Sequence, residues 1–279
     1  MKLTTKKLLA TLFSGVLLMS FTACSSSNKA NEQPTEGEKQ VLKIGASPSP
    51  HAEILEYIKP ALLEKGIDLQ VEVFTDYILP TNAVEGGDID ANFFQHKPYL
   101  DDFNAKNGTD LVSAAAIHFE PLGIYPGKTA SVKDLKDGAT IAVPNDTTNE
   151  ARALQLLASL GLIEIDENAG LEATPANITS NPKNLEILEV EAAQVPRTLP
   201  DVDLGVVNGN YAIAAGINET VLETEANDSE GAQQYANIIA VKAGSENSDK
   251  IKALIEALET DDVKAFMNEK YGVTVVPVF

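Results

Sequence analysis

Between residues 41 and 268, short apolar runs alternate with stretches of helical periodicity, and the alternation comes in two sets. In the first set, Val41-Leu42-Lys43-Ile44-Gly45 reads as a strand. A helix follows, carrying Ile54, Leu55, Ile58, Leu62 and Leu63 at helical spacing and stopping at Gly66. Leu69 to Phe74 alternates as a strand, and a loop from Thr75 to Thr81 leads to a short helix near Asn82–Glu85. A strand from Ile89 to Phe93 and a helix from Pro98 to about Lys106 complete the set. In the second set, Ser131 to Leu135 starts a short helix and Thr140 to Val143 is a strand. Thr147-x-x-Glu150 forms a capping box for a helix that ends near Leu160 at Gly161. Strands at Leu185–Val190 and Leu204–Val207 flank a short helix at Gln194–Leu199. Tyr235–Val241 is a further strand, and Ser248 to Asn268 predicts a long amphipathic helix with Ile251, Leu254, Ile255 and Leu258 on one face.

This grammar predicts an α/β protein of two lobes, each a mainly parallel sheet flanked by helices. The expected division is 41–125 with 240–279 for the first lobe and 126–239 for the second. Ligands of such lobes bind beyond the carboxyl ends of the strands, in the cleft.

The residues ahead of the folded body have a different character. Lys2, Lys6 and Lys7 precede an apolar run from Leu8 to about Met19, which is short for a bilayer span and ends at small residues. That is the anatomy of a secretory signal, expected to occupy residues 1–23. Phe21-Thr22-Ala23-Cys24 resembles a bacterial lipobox, with Phe21 in place of the usual Leu. Cys24, the one cysteine of the chain, is therefore the expected site of lipidation, and an intrachain disulfide is impossible. Residues 24–40 hold no aliphatic side chain larger than alanine after the cysteine and read as a flexible polar tether. Lipid plus tether predicts a protein held to the cell membrane on its extracytoplasmic face.

Formal charge is −20, from 21 basic and 41 acidic residues. A surface this acidic repels phosphate backbones and argues against nucleic acid as a partner. There is no HExxH, CxxC, Walker loop, GxGxxG or GxSxG, so no metal, cofactor or catalytic nucleophile is expected. The rival reading is a cell-envelope hydrolase using His51 or His96 with a serine.

Several residues stand out as candidates for binding. Arginine occurs only at Arg152 and Arg197, against nineteen lysines. Arg152 falls in the second turn of the helix expected from Thr147, where a carboxylate ligand would meet both a guanidinium and free N–H groups. The alternative is a surface ion pair with Glu150 or Asp146. Tyr77, Phe94, His96 and Tyr99 cluster within 23 positions of a chain that is 6% aromatic, either as core or as an apolar, polarizable slot. Adjacent Phe93 and Phe94 face opposite ways in a strand, so one alone should reach a given pocket. Asn208 and Asn237 sit at predicted apolar strands, where an amide needs a partner.

The segments GASPSPHAEIL, FTDYILPTNAVEGGDIDANFFQHKPYL, IHFEPLGIYP, AVPNDTTNEARALQLL, NPKNLEILEVEAAQVPR, VVNGNY and YANIIAV resemble the methionine-binding lipoprotein family (NlpA lipoproteins), the substrate-binding components of methionine ABC importers. The resemblance covers the chain from Val41 to its end. It implies a two-lobed periplasmic-binding-protein fold that closes on methionine, L- or D-, or a close analogue, and delivers it to a permease driven by an ATPase. A methionine-containing dipeptide or another small amino acid is the alternative ligand. The resemblance further implies that Arg152 meets the ligand carboxylate and that Asn208 and Asn237 bind its amino and carboxylate groups. Asn149 contributes, and Tyr77, Phe94, His96 and Tyr99 surround the thioether. A monomer without enzymatic activity is expected. Thr81 stands where the family leads one to expect asparagine.

Overall fold

The computed structural model describes residues 39–226 and 234–279. The expected signal, Cys24 and all but the end of the tether lie outside the described residues.

Two sheets organise the chain. The first contains β1 (Gln40–Ala46), β2 (Ile67–Val73), β3 (Ala91–His96), β4 (Leu111–Phe119), β12 (Asn237–Lys242) and β13 (Val276–Pro277), in the order β13-β4-β12-β3-β1-β2. The second contains β5 (Gly123–Pro126), β6 (Thr140–Pro144), β9 (Glu186–Val190), β10 (Leu204–Val207) and β11 (Glu223–Thr224), in the order β11-β5-β10-β6-β9. A separate two-stranded ribbon pairs β7 (Glu164–Ile165) with β8 (Ile178–Ser180). This is the expected α/β architecture of two lobes.

Each large sheet has its parallel strands at one end, where helices make the crossovers, and antiparallel strands at the other. The antiparallel part arises because β12 returns to lie between β3 and β4, and because β5 pairs antiparallel to β10. Hydrogen bonding also assigns β5 whole to the second sheet and β12 whole to the first. The chain thus crosses from one sheet to the other at 120–122 and again between Thr224 and Asn237.

Local sequence accounts for most elements. Helix α1 (Glu53–Glu64) buries Ile54, Leu55, Ile58 and Leu62 against β1, β2 and the C-terminal helices, in a core that also takes Leu42, Ile44 and Phe93. Helix α2 (Leu79–Gly86) starts earlier than expected, because the Asp76 carboxylate accepts from the N–H groups of Ile78 and Leu79 and Pro80 fits the first turn. Helix α3 (Lys97–Asn107) is capped by the His96 ring, which accepts from Tyr99 N. Helix α4 (Thr147–Ser159) is capped by Asp146, not Thr147: its Oδ1 accepts from Asn149 N at 3.1 Å. The expected long C-terminal helix is two helices, Asp249–Leu258 and Asp261–Tyr271. Thr260 caps the second through Val263 N, with two aspartates in its first turn.

Candidate functional site

The topology gathers one end of both sheets. β3 ends at His96, β4 at Phe119, β6 at Pro144 and β10 at Val207, while antiparallel β12 begins there, placing Asn237 opposite both His96 and His118. The residues just past these strand ends enclose a small cavity. All eight residues singled out from sequence line it: Tyr77, Phe94, His96, Tyr99, Asn149, Arg152, Asn208 and Asn237. Gln95, Glu120, Gly209 and Asn210 line it as well and were not anticipated.

One wall is aromatic. Tyr77 stacks on Phe94 with centroids 5.3 Å apart, and Tyr99 meets both rings edge-on at 5.9 and 6.1 Å. Phe94 faces this cavity while Phe93 packs into the core of the first lobe, as strand alternation requires. The wall is closed in its own hydrogen bonds. Tyr77 donates to Asn210 Oδ1 at 2.7 Å and Tyr99 donates to the Tyr77 carbonyl at 3.2 Å. Burial, with the negative charge of Glu120 and Asp146 nearby, raises the Tyr77 phenol well above its ordinary value, so it is a neutral donor.

The opposite end is polar. Asn149 sits in the first turn of α4. Its Oδ1 accepts from Asn208 Nδ2 at 2.8 Å and from His96 Nε2 at 3.2 Å, and its Nδ2 donates to Asp146. His96 therefore carries its proton on Nε2, since its Nδ1 accepts from Tyr99 N. Burial holds the His96 ring down at about 3, with the Arg152 charge adding to the effect. Among the described residues, the buried Asn208 Oδ1, Asn210 Nδ2 and Gln95 Oε1 have no hydrogen-bond partner. All three atoms belong to residues that line the cavity, and each costs about 1–3 kcal/mol while unmet.

Arg152 is buried at 3% exposure, so it is no surface residue. Its acidic partner is neither Glu150 nor Asp146 but Glu225, on the second passage between lobes. Arg152 Nε donates to Glu225 Oε1 at 2.7 Å and Nη2 to Oε2 at 2.6 Å. Nη2 also donates to the Glu120 carbonyl at 2.8 Å, on the first passage. Glu225 Oε2 in turn accepts from Leu122 N. The guanidinium lies 4.5 Å from the Tyr235 ring centroid. It thereby ties the two interlobe passages together, and the two hydrogens on Nη1 are the ones these bonds leave over.

Behind the cavity lies a buried network. Ser47 Oγ is 2.7 Å from His51 Nδ1, and His51 Nε2 is 3.0 Å from Asn237 Oδ1 and 3.2 Å from Glu120 Oε1. His118 Nε2 reaches the same Glu120 oxygen at 2.8 Å. Ser47, His51 and Glu120 are connected like a hydrolytic triad, but Ser47 is buried and does not line the cavity, so its hydroxyl has no substrate to attack. Burial lowers His51 to about 4, against the pull of Glu120, and His118 to about 3. Both rings are neutral donors. His51, His118 and Glu120 also have ligand-type atoms within 4.8 Å of one another, a spacing a metal ion could bridge; the His118–Glu120 bond and the His51–Asn237 bond account for it equally.

The sequence profile of the NlpA lipoproteins matches residues 42–279 of the chain. The chain belongs to the NlpA lipoprotein family. One NlpA relative, the methionine-binding lipoprotein MetQ of Bacillus subtilis (strain 168), is 40% identical over 274 residues, spanning 96% of this chain and 98% of that protein. A nutrient binding protein from Burkholderia cenocepacia, solved bound to methionine, matches with a TM-score of 0.81 at 39% identity, over 85% of this chain and all of that one. The substrate binding protein of a methionine transporter from Streptococcus pneumoniae matches with a TM-score of 0.80 at 37% identity, over 86% of this chain and 96% of that one. These three proteins are named as a binding lipoprotein, a nutrient binding protein and the substrate binding protein of a transporter, not as enzymes. No helix among the described residues is long and apolar enough to cross a membrane.

Proposed function

We propose that this chain is the substrate-binding component of an ABC importer, capturing methionine, L- or D-, or a close analogue between its lobes and delivering it to the permease and its ATPase. The observation that carries the reading is the pairing of an aromatic wall with a polar, arginine-bearing end in one small cavity, in a family whose relative was solved with methionine bound. The thioether lies against Tyr77, Phe94 and Tyr99, where sulfur–ring contacts contribute about 0.3–1.5 kcal/mol. The carboxylate takes the Nη1 hydrogens of Arg152, and the amides of Asn149, Asn208 and Asn237 complete the polar end. Residues 1–23 are a signal, Cys24 carries the lipid and residues 24–40 tether a monomeric body to the extracytoplasmic face of the cell membrane. Mass spectrometry of small molecules released on denaturing the purified protein tests the reading. Stoichiometric methionine or a methionine derivative is expected; a stoichiometric solute without sulfur or without an amino acid backbone would displace it.

A further inference from the structure

Two charged side chains line the cavity, and their circumstances differ. Arg152 is already neutralised by the Glu225 carboxylate through two short bonds. Glu120 has no such partner. Its carboxylate is 5% exposed, and its nearest polar neighbours are the neutral rings of His51 and His118 and the backbone N–H of Asn210. Burial pushes its carboxyl up, while His51, the neighbouring charge of Arg152 and the Asn210 N–H act the other way. The backbone of the second lobe comes right against it: a Cβ on Gly209 would lie 2.9 Å from Glu120 Oε2. The residue before that glycine, Asn208, holds a buried Oδ1 without a hydrogen-bond partner among the described residues. A buried carboxylate and an unmet amide oxygen beside one cavity form a set of acceptors, and a group carrying several N–H donors and a positive charge satisfies both.

We infer that Glu120, held from behind by the Nε2–H of His118, receives the ligand's ammonium group, and that this site discriminates more strongly for the ammonium than for the charge of the carboxylate. The inference rests on the amino-acid reading of the cavity. Its physical basis is that the ligand carboxylate meets a cation already compensated by Glu225, whereas the ammonium meets a buried carboxyl group bonded by a histidine ring and not paired with a lysine or arginine. His51 and His118 are positioning residues. Both Nε2 atoms lie near Oε1, His118 donating to it and His51 to the Asn237 amide oxygen, and Oε2 lies on the side of Gly209.

The test uses calorimetry on the full-length protein in detergent with three probes: L-methionine, methioninamide (ammonium kept, carboxylate charge removed) and 4-(methylthio)butanoate (carboxylate kept, ammonium removed). The wild type should lose at least about 100-fold in affinity from methionine to 4-(methylthio)butanoate, and less from methionine to methioninamide. Glu120→Gln should collapse the first ratio to within about tenfold and leave the second nearly unchanged. His118→Leu should shrink the first ratio in the same direction, and His118→Gln, which keeps a donor near the Nε2 position, should restore it; a structural role alone would lower affinity for all three probes together. An unchanged methionine-to-butanoate ratio in Glu120→Gln, or a wild type that loses more with methioninamide, overturns the inference while leaving methionine binding intact. Should Glu120→Gln fail to fold, the same ratio in the two His118 variants decides. A wild type that binds none of the probes overturns the amino-acid reading itself, and the inference with it.

Discussion

The two ends of the cavity are built on opposite plans. At the aromatic end every hydroxyl is spoken for: Tyr77 is bonded to Asn210, Tyr99 to the Tyr77 carbonyl, and the rings support one another. This end is complete without a ligand and supplies a surface of fixed shape. At the polar end, Asn208 Oδ1 and Asn210 Nδ2 lack partners among the described residues and Glu120 is paired with histidine rings alone. That end is completed by what binds. Affinity should therefore depend on the polar end and side-chain choice on the aromatic one.

The variant that should separate the two ends most is Arg152→Ala. It removes the ligand's carboxylate partner and strands Glu225, which is only 17% exposed and also holds Leu122 N. Breaking such a pair costs about 3–5 kcal/mol, so methionine binding should vanish and thermal unfolding should shift down together. Retained affinity in calorimetry would move the polar end elsewhere. Next in size is Phe94→Ala. Truncating this buried ring costs about 3–5 kcal/mol of stability. Its signature is a relaxed preference among amino acids in a thermal-shift panel, with the dependence on free ammonium preserved; a preference that stays sharp would deny the wall its selective role.

A pH series sharpens the contrast without mutation. His51, His96 and His118 are held at about 4, 3 and 3, below their ordinary 6.5. The unfolded chain thus binds more protons than the folded one as pH falls through 6.5, and their contribution to stability is lost from there down toward 4. Glu120, Asp146 and Glu150, whose carboxyls are raised, act in the opposite sense. The lowered carboxyls of Glu53 and Asp203 side with the three rings, so the unfolding temperature should drop between pH 6.5 and 4, and His118→Gln should flatten the drop. A flat wild-type profile would mean the rings are not held neutral. The smallest effect belongs to the periphery of the cleft: Lys106, which bonds Thr147 across the lobes and pairs with Asp102, is 57% exposed. Lys106→Ala should change stability by less than about 1 kcal/mol, and a larger loss would mark that contact as a latch.

Which parts of this were legible in the sequence follows from where each signal lies. Strands such as Leu204–Val207 and helices such as α4 announce themselves through apolar runs and periodicity, and the eight lining residues were reached through scarce residue types and the family's motifs. β4 was not anticipated, because its central Ser113-Ala114-Ala115-Ala116 has little strand preference of its own and is held by pairing with β12 and β13. Glu120 was missed with it, since without β4 nothing places that carboxylate at a strand end. The pairing of Arg152 with Glu225 joins residues 73 positions apart, a distance over which local pattern carries no signal. The split of the C-terminal helix, by contrast, was there to be read in Thr260-Asp261-Asp262, a helix start inside an otherwise continuous apolar stripe.

The most direct measurement is calorimetric titration of L-methionine into the full-length protein with its folded state verified. The account predicts saturable binding of one methionine per chain, with a negative heat-capacity change as the thioether is buried. Absence of any heat or unfolding-temperature shift at saturating methionine, L- or D-, would contradict it.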